Sequence, residues 1–202
     1  MANVVNQRQA GFTLIEVIMV MAIAGVLSLI VLNGFSSLRG QAEFSDAIDH
    51  LKETVVAQRT EALTTVKAGG GTDSSQQTIG RLLTFSPGSG TVRVDTLVTA
   101  NTDAPVAGQA VTLAAGETTN VIIPWGIQYH GSTVAQVAFT RSAVDGSLQT
   151  TASQGTFGPP YHYGNFAPGG PIEEFMFQDS TGRTGYISID QAANAVTRRF
   201  YQ

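Results

Sequence analysis

Residues 12–32, FTLIEVIMVMAIAGVLSLIVL, are apolar at nearly every position, and from Val17 to Leu32 they carry no charge. In helical form about 20 such residues cross the ~30 Å hydrocarbon layer of a bilayer. The pattern then changes. Between Phe35 and Val66 apolar residues recur at Phe44, Ile48, Leu51, Val55, Ala62 and Val66, at spacings of 4, 3, 4, 7 and 4. That is the period of a helix with one buried stripe. Glu43, Asp46, Lys52, Glu53 and Arg59 fall on the other side, and no proline occurs before Pro87. One helix from Phe12 to about Thr65 is predicted, roughly 80 Å long at about 1.5 Å per residue. Asn33, Gly34 and Gly40 are poor helix residues, each Gly costing about 1 kcal/mol against Ala. They predict a weak or locally melted stretch from Asn33 to Gly40, the alternative being an unbroken helix that tolerates its glycines.

After KAGGGTDSSQQ the period shortens to that of strands. TIGRLLTF and TVRVDTLV flank SPGSG, which reads as a hairpin, and QAVTLAA and TNVIIP flank GET. TVAQVAFT, GSLQTT, IEEFMFQD, TGYISID and AVTRRFY are further strands. Short strands between turn signals, with no second helical pattern, argue against a parallel α/β fold and for a sandwich or strongly curved sheets. The expected class is α+β: a long N-terminal transmembrane and amphipathic helix packed on a C-terminal antiparallel, sandwich-like β-rich head. The expected divisions are a leader over 1–11, a transmembrane helix over 12–33, its amphipathic continuation over 34–67 and the head over 68–202.

Charge narrows the function. The formal net charge is −4 and only Lys52 and Lys67 are lysines, which argues against a general nucleic-acid binder. With no cysteine there are no disulfides, thiol nucleophiles or thiolate metal sites.

Within the apolar run stands Glu16. A carboxylate near the centre of a membrane helix costs on the order of 3 kcal/mol and calls for a partner. Near the helix end it reaches the headgroups and needs none. A removed signal peptide fits poorly, because the run exceeds an h-region of roughly 7–15 residues and no small-x-small cleavage site follows.

GFTLIEV, the unbroken apolar run after it and the short polar leader MANVVNQRQA together resemble the type IV prepilin signature. The resemblance implies that prepilin peptidase cuts between Gly11 and Phe12 and methylates the new amine of Phe12. It also implies a reason for Glu16: in a filament its carboxylate neutralises the Phe12 amine of a neighbouring subunit, because a buried unpaired charge is costly. Loss of the leader removes Arg8 and leaves 10 basic against 15 acidic residues. Many pilins have a proline within the apolar run where this chain has Asn33-Gly34. LKETVVAQRTEALTT and FMFQDSTGRTGYISID…TRRFYQ are similar to stretches of the H-type minor pseudopilins of type II secretion and of related minor pilins.

Motifs for catalysis are lacking: no phosphate loop with a lysine, no His-Glu-x-x-His, no Gly-x-Ser-x-Gly. His50, His130 and His162 are far apart in the chain, and Glu173-Glu174 point to opposite faces of a strand. No catalytic residue, metal site or cofactor is expected. The segment from Ser153 to Pro171 lacks periodicity and concentrates Phe157, Tyr161, Tyr163 and Phe166, either as a partner surface or as a loop that buries its own rings. Arg183, Arg198 and Arg199 form a local basic excess near the C-terminus.

The expected function is a structural minor pilin or pseudopilin of a type II secretion pseudopilus or a type IV pilus, near the filament tip. Its implied partners are other pilin or pseudopilin subunits, prepilin peptidase, the inner-membrane assembly platform and the lipid bilayer. It would sit in the inner membrane with its N-terminus cytoplasmic and its head periplasmic, before entering the filament. The alternative is a minor pilin that binds DNA, through the arginines, or another extracellular ligand.

Overall fold

The computed structural model describes residues 13–64, 76–100, 110–141, 147–157, 161–162 and 172–200. The chain divides into two units, residues 1–42 and 43–202. Helix α1, Leu14–Thr64, contributes to both.

In the first unit the described residues from Thr13 to Arg39 are exposed, Asn33 aside, whose side chain is not described. An 18-residue window within α1 has a mean hydropathy of 2.7, so the segment is long and apolar enough to cross a membrane. The stretch from Asn33 to Gly40, expected to be weak, is helical without interruption. Glycine lowers helix stability but removes neither donor nor acceptor. Without a proline the ladder of i to i−4 hydrogen bonds continues through it.

In the second unit α1 buries Phe44, Ala47, Ile48, Leu51, Val55 and Ala62. The expected stripe is therefore the packed face, with Val66 lying outside the described residues. Among the described residues eleven strands follow: β1 Gln76–Phe85, β2 Thr91–Ala100, β3 Ala110–Leu113, β4 Thr119–Ile122, β5 Gln128–Tyr129, β6 Ala135–Arg141, β7 Leu148–Ser153, β8 Tyr161–His162, β9 Ile172–Gln178, β10 Thr184–Asp190 and β11 Ala195–Arg199. They form a seven-stranded sheet in the order β7-β6-β1-β2-β3-β8, with β4 also on β2, and a four-stranded sheet β11-β10-β9-β5. The pairings are antiparallel. The α+β expectation therefore holds.

β1 and β2 form the expected hairpin, Phe85 opposite Val92, with a bulge between Thr78 and Gly80. A Cβ at Gly80 would lie 2.1 Å from the carbonyl oxygen of Phe139, so only glycine lets β6 approach there. β3 and β4 do not pair with each other. Both lie against β2, β3 along Leu97–Thr99 and β4 along Thr91–Val94. β8 corrects the expectation of a structureless segment from Ser153 to Pro171, because its backbone pairs with β3.

One core joins the helix to both sheets: Leu83, Phe85, Val92, Val94 and Phe139 from the larger, Phe175, Phe177, Ile187 and Ile189 from the smaller. Phe85 stands at its centre, stacked on Phe175 at 5.5 Å and edge-on to Phe177 at 5.7 Å. β5 ties the sheets together: it pairs with β9, while Gly88 N–H donates to the Tyr129 carbonyl at 2.9 Å. α1 has no basic residue in its last turn, so the larger sheet supplies the charge that its C-terminal dipole favours. Arg81 pairs with Glu61, and Arg141 Nη2 donates to the Leu63 carbonyl at 2.6 Å.

Candidate functional site

The N-terminal site begins at a helix cap. The Thr13 carbonyl accepts the N–H groups of Glu16 and Val17 at 3.1 and 3.3 Å, and Thr13 Oγ1 accepts the Glu16 N–H at 3.3 Å. Thr13 is thus the N-cap, and Glu16 stands three residues on, in the first turn. Thr-Leu-Ile-Glu has the spacing of a capping box, and a carboxylate there also favours the positive end of the helix dipole. The spacing was legible in the chain, yet the sequence reading gave Glu16 only membrane and assembly roles and left Thr13 without one. In the first turn the carboxylate lies away from the middle of the apolar run, which lowers its cost in a bilayer. Gly11 and Phe12 lie outside the described residues. Leu14, Ile18, Met21 and Leu32 are each more than half exposed, so this apolar surface has no cover within the described residues.

The aromatic group of the head separates. Phe157 is buried among Ile79, Leu82, Leu97, Val111 and Ala138 on the second face of the larger sheet. Its N–H donates to Gln136 Oε1 at 2.6 Å, and Gln136 Nε2 donates to Thr84 Oγ1 at 3.1 Å, which fixes the segment inward. Its ring therefore offers no outer surface. Tyr161 is placed by its backbone on β8, and Tyr163 and Phe166 lie outside the described residues.

Each of the three C-terminal arginines has an acidic partner. Arg183 Nη2 lies 2.6 Å from Asp179 Oδ2, Arg199 Nη1 lies 3.3 Å from Glu174 Oε1, and Arg198 pairs with Asp49. Arg198 also donates to Ser45 Oγ at 3.0 Å and lies over the Phe200 ring, itself 6.1 Å from Phe44. These contacts hold β11 to the helix. Paired in this way, the arginines present no excess of positive charge to a phosphate backbone.

The chain's single tryptophan escaped notice in the sequence. In Pro124-Trp125-Gly126 both Trp125 (φ 56°, ψ 30°) and Gly126 (φ 67°) are left-handed, so the segment is a left-handed turn. A bulky residue in that region costs on the order of 1–3 kcal/mol, and Trp125 is also 54% exposed. Gly126, the next residue, lines an open cleft of about 130 Å³ where three connections converge, between Gly88, Gly126, β5 and the β9–β10 turn. Asp179 organises that turn: Oδ1 accepts from the Thr181 N–H, Thr181 Oγ1 and the Arg183 N–H at 2.8–2.9 Å, and Oδ2 accepts from Arg183 Nε at 2.7 Å. Burial pushes its carboxyl up, but these hydrogen bonds from Thr181 and Arg183 outweigh it and hold the group below the usual carboxylate range. Burial, and then the charge of Glu173, push the neighbouring Tyr129 hydroxyl up. Among the described residues no group of His, Asp and Glu has the arrangement of a metal site.

Residues 6–32 match the family model of the prokaryotic N-terminal methylation motif. No curated protein and no solved structure matches the chain. The motif marks the chain as type IV pilin-like, a substrate of prepilin peptidase of the kind that assembles with other pilins into pilus-like filaments. The apolar part of α1 fits the membrane anchor of such a protein.

Proposed function

We propose that the protein is a structural minor pilin or pseudopilin, cut between Gly11 and Phe12, methylated at Phe12, and assembled near the tip of a type II secretion pseudopilus or a type IV pilus. One observation carries this reading: α1 starts at Leu14 and exposes apolar side chains all the way to Leu38. Such a surface is stable in lipid or among other helices, and a subunit that passes from membrane to filament exchanges the first for the second. The unassembled subunit sits in the inner membrane, N-terminus cytoplasmic and head periplasmic, where the assembly platform takes it up. The similarity of its helix end and C-terminal strands to the H-type subunits supports a minor position.

Glu16 then acts across subunits. The carboxylate on the first turn of one helix meets the Phe12 amine of the next, and the pair selects the register of docking as well as adding stability.

Mass spectrometry of protein made with the peptidase present is expected to show a chain that begins at methylated Phe12. An intact Met1 under those conditions would remove this reading. Glu16→Gln is expected to leave cleavage and head folding intact and to abolish incorporation into filaments. Wild-type incorporation of that variant would refute the pairing.

A further inference from the structure

We propose that the outer edge of β4 is a docking site for a second copy of this chain, the two β4 strands pairing antiparallel across a twofold axis with Asn120 opposite the partner's Ile122. The contact goes beyond the processing reading and does not depend on cleavage at Gly11, so either can fail without the other.

The backbone of β4 leaves one side open. Among the described strands β4 pairs with β2 alone. Thr91 stands opposite Ile122 and Val92 opposite Val121, and the Ile123 N–H donates to the Gly90 carbonyl at 2.8 Å. Antiparallel pairing alternates bonded and unbonded pairs. Thr119, Val121 and Ile123 therefore turn their amides and carbonyls to β2. Asn120 and Ile122 turn theirs outward, where no described strand meets them. Both residues are exposed, Ile122 at 73%.

The other edges of the two sheets are closed or guarded. β8 has two residues, and β7 already gives its Ala152 carbonyl to Gln191 Nε2 at 3.3 Å. β5 is bonded on its outer side to Gly88 and Ser89, and β11 carries Arg198 and Arg199. By contrast the chain from Thr118 to Tyr129 has no charged residue. Arg93, opposite Asn120, is neutralised by Asp95. An identical strand therefore meets no like charge. Symmetry then fixes the register. With Asn120 opposite the partner's Ile122, each outward N–H and C=O of both strands finds a mate within β4. A shift in either direction sets an outward group against Thr118, before the strand, or against Pro124, which has no N–H. Such a contact closes on itself, so it makes pairs and not a polymer. A strand this short buries less than the roughly 1,200 Å² of a stable interface, so the pair is weak in dilute solution and favoured where one bilayer crowds the copies.

The chain has no cysteine, so introduced thiols are the only ones present. Asn120→Cys and Ile122→Cys would be made separately as full-length proteins in detergent, then mixed and oxidised. Cα atoms of a bonded antiparallel pair lie about 5.5 Å apart, within disulfide reach, and diagonal ones about 7–8 Å apart, beyond it. The mixture is therefore expected to give about fivefold more disulfide-linked dimer than either variant alone. An excess of about fivefold of unaltered protein is expected to cut that yield about fivefold by mass action. The same excess of Ile122→Pro, checked to melt as wild type does, is expected to leave the yield unchanged, because its ring blocks approach from outside without removing a bond to β2. Ile122→Lys, at the same exposed position, takes its place if proline lowers the melt. No excess of dimer in the mixture overturns the proposal, whether the edge stays empty or takes another strand. So does competition by the altered protein equal to that of wild type, which would place the association elsewhere on the chain.

Discussion

Residues 14–32 and residues 44–64 form parts of one helix with opposite relations to their surroundings. The first is apolar on every side and exposed on every side. The second is apolar along one stripe, and that stripe is buried against two sheets. A helix that is greasy all round has no preferred face and is satisfied only by an apolar medium or a ring of other helices. A striped helix is satisfied by one surface of its own chain. The difference in pattern, with no proline or loop between, assigns the first part to other molecules and the second to the fold.

Paired truncations test that division most strongly. Leu51→Ala, at a site 2% exposed, is expected to lower the unfolding free energy by about 2–5 kcal/mol in a urea titration followed by Trp125 emission. Leu27→Ala, at a site 56% exposed, is expected to stay within about 0.5 kcal/mol of wild type while weakening retention in the membrane fraction. Equal losses in the two variants would break the comparison.

Acid sharpens it, because the turn that Asp179 organises packs against the second part of the helix. Arg183, which that carboxylate holds, lies over the ring of Phe44 at 5.7 Å. A depressed folded pKa means that stability from Asp179 is fully present above the unfolded value of about 4 and is lost as pH falls through the lower folded value. Asp179→Asn is expected to cost about 1–3 kcal/mol at neutral pH and to flatten the acid limb of a stability–pH profile. A profile as steep as wild type would place the acid sensitivity elsewhere.

The smallest effect is expected from Arg198→Ala. Its ion pair with Asp49 is partly exposed on both sides, so its loss should cost about 0.2–1 kcal/mol in the same urea titration. A larger loss would show that the C-terminal strand, and not the apolar stripe, holds the helix in place.

The legibility of the chain follows the range of the forces involved. Phe44, Ile48, Leu51 and Val55 announced their shared face because the helical period is local. β1, β2, β9 and β10 announced themselves by runs of strand-forming residues between turns. β5 and β8 did not, since two residues cannot show a period and their existence depends on β9 and β3. The placement of both β3 and β4 on β2 was equally hidden, because a partner strand is chosen by the whole sheet and not by the turn between neighbours. The inward position of Phe157 rests on Gln136, 21 residues away in the chain.

What the amino-acid order determined by itself is the N-terminal segment: its apolar length, the glutamate in register with Gly11 and Phe12, and the threonine that caps its helix all act within a few residues of one another. What only the tertiary structure decided is which polar groups are already occupied. Arg183, Arg198 and Arg199 read as a local basic excess until folding gave each an acid, Asp179 four residues away for Arg183, and Asp49 and Glu174 from distant elements for Arg198 and Arg199. The cleft between Gly88, Gly126 and the β9–β10 turn exists only because three distant turns meet there, since charge pairing and concavity are properties of groups gathered in space.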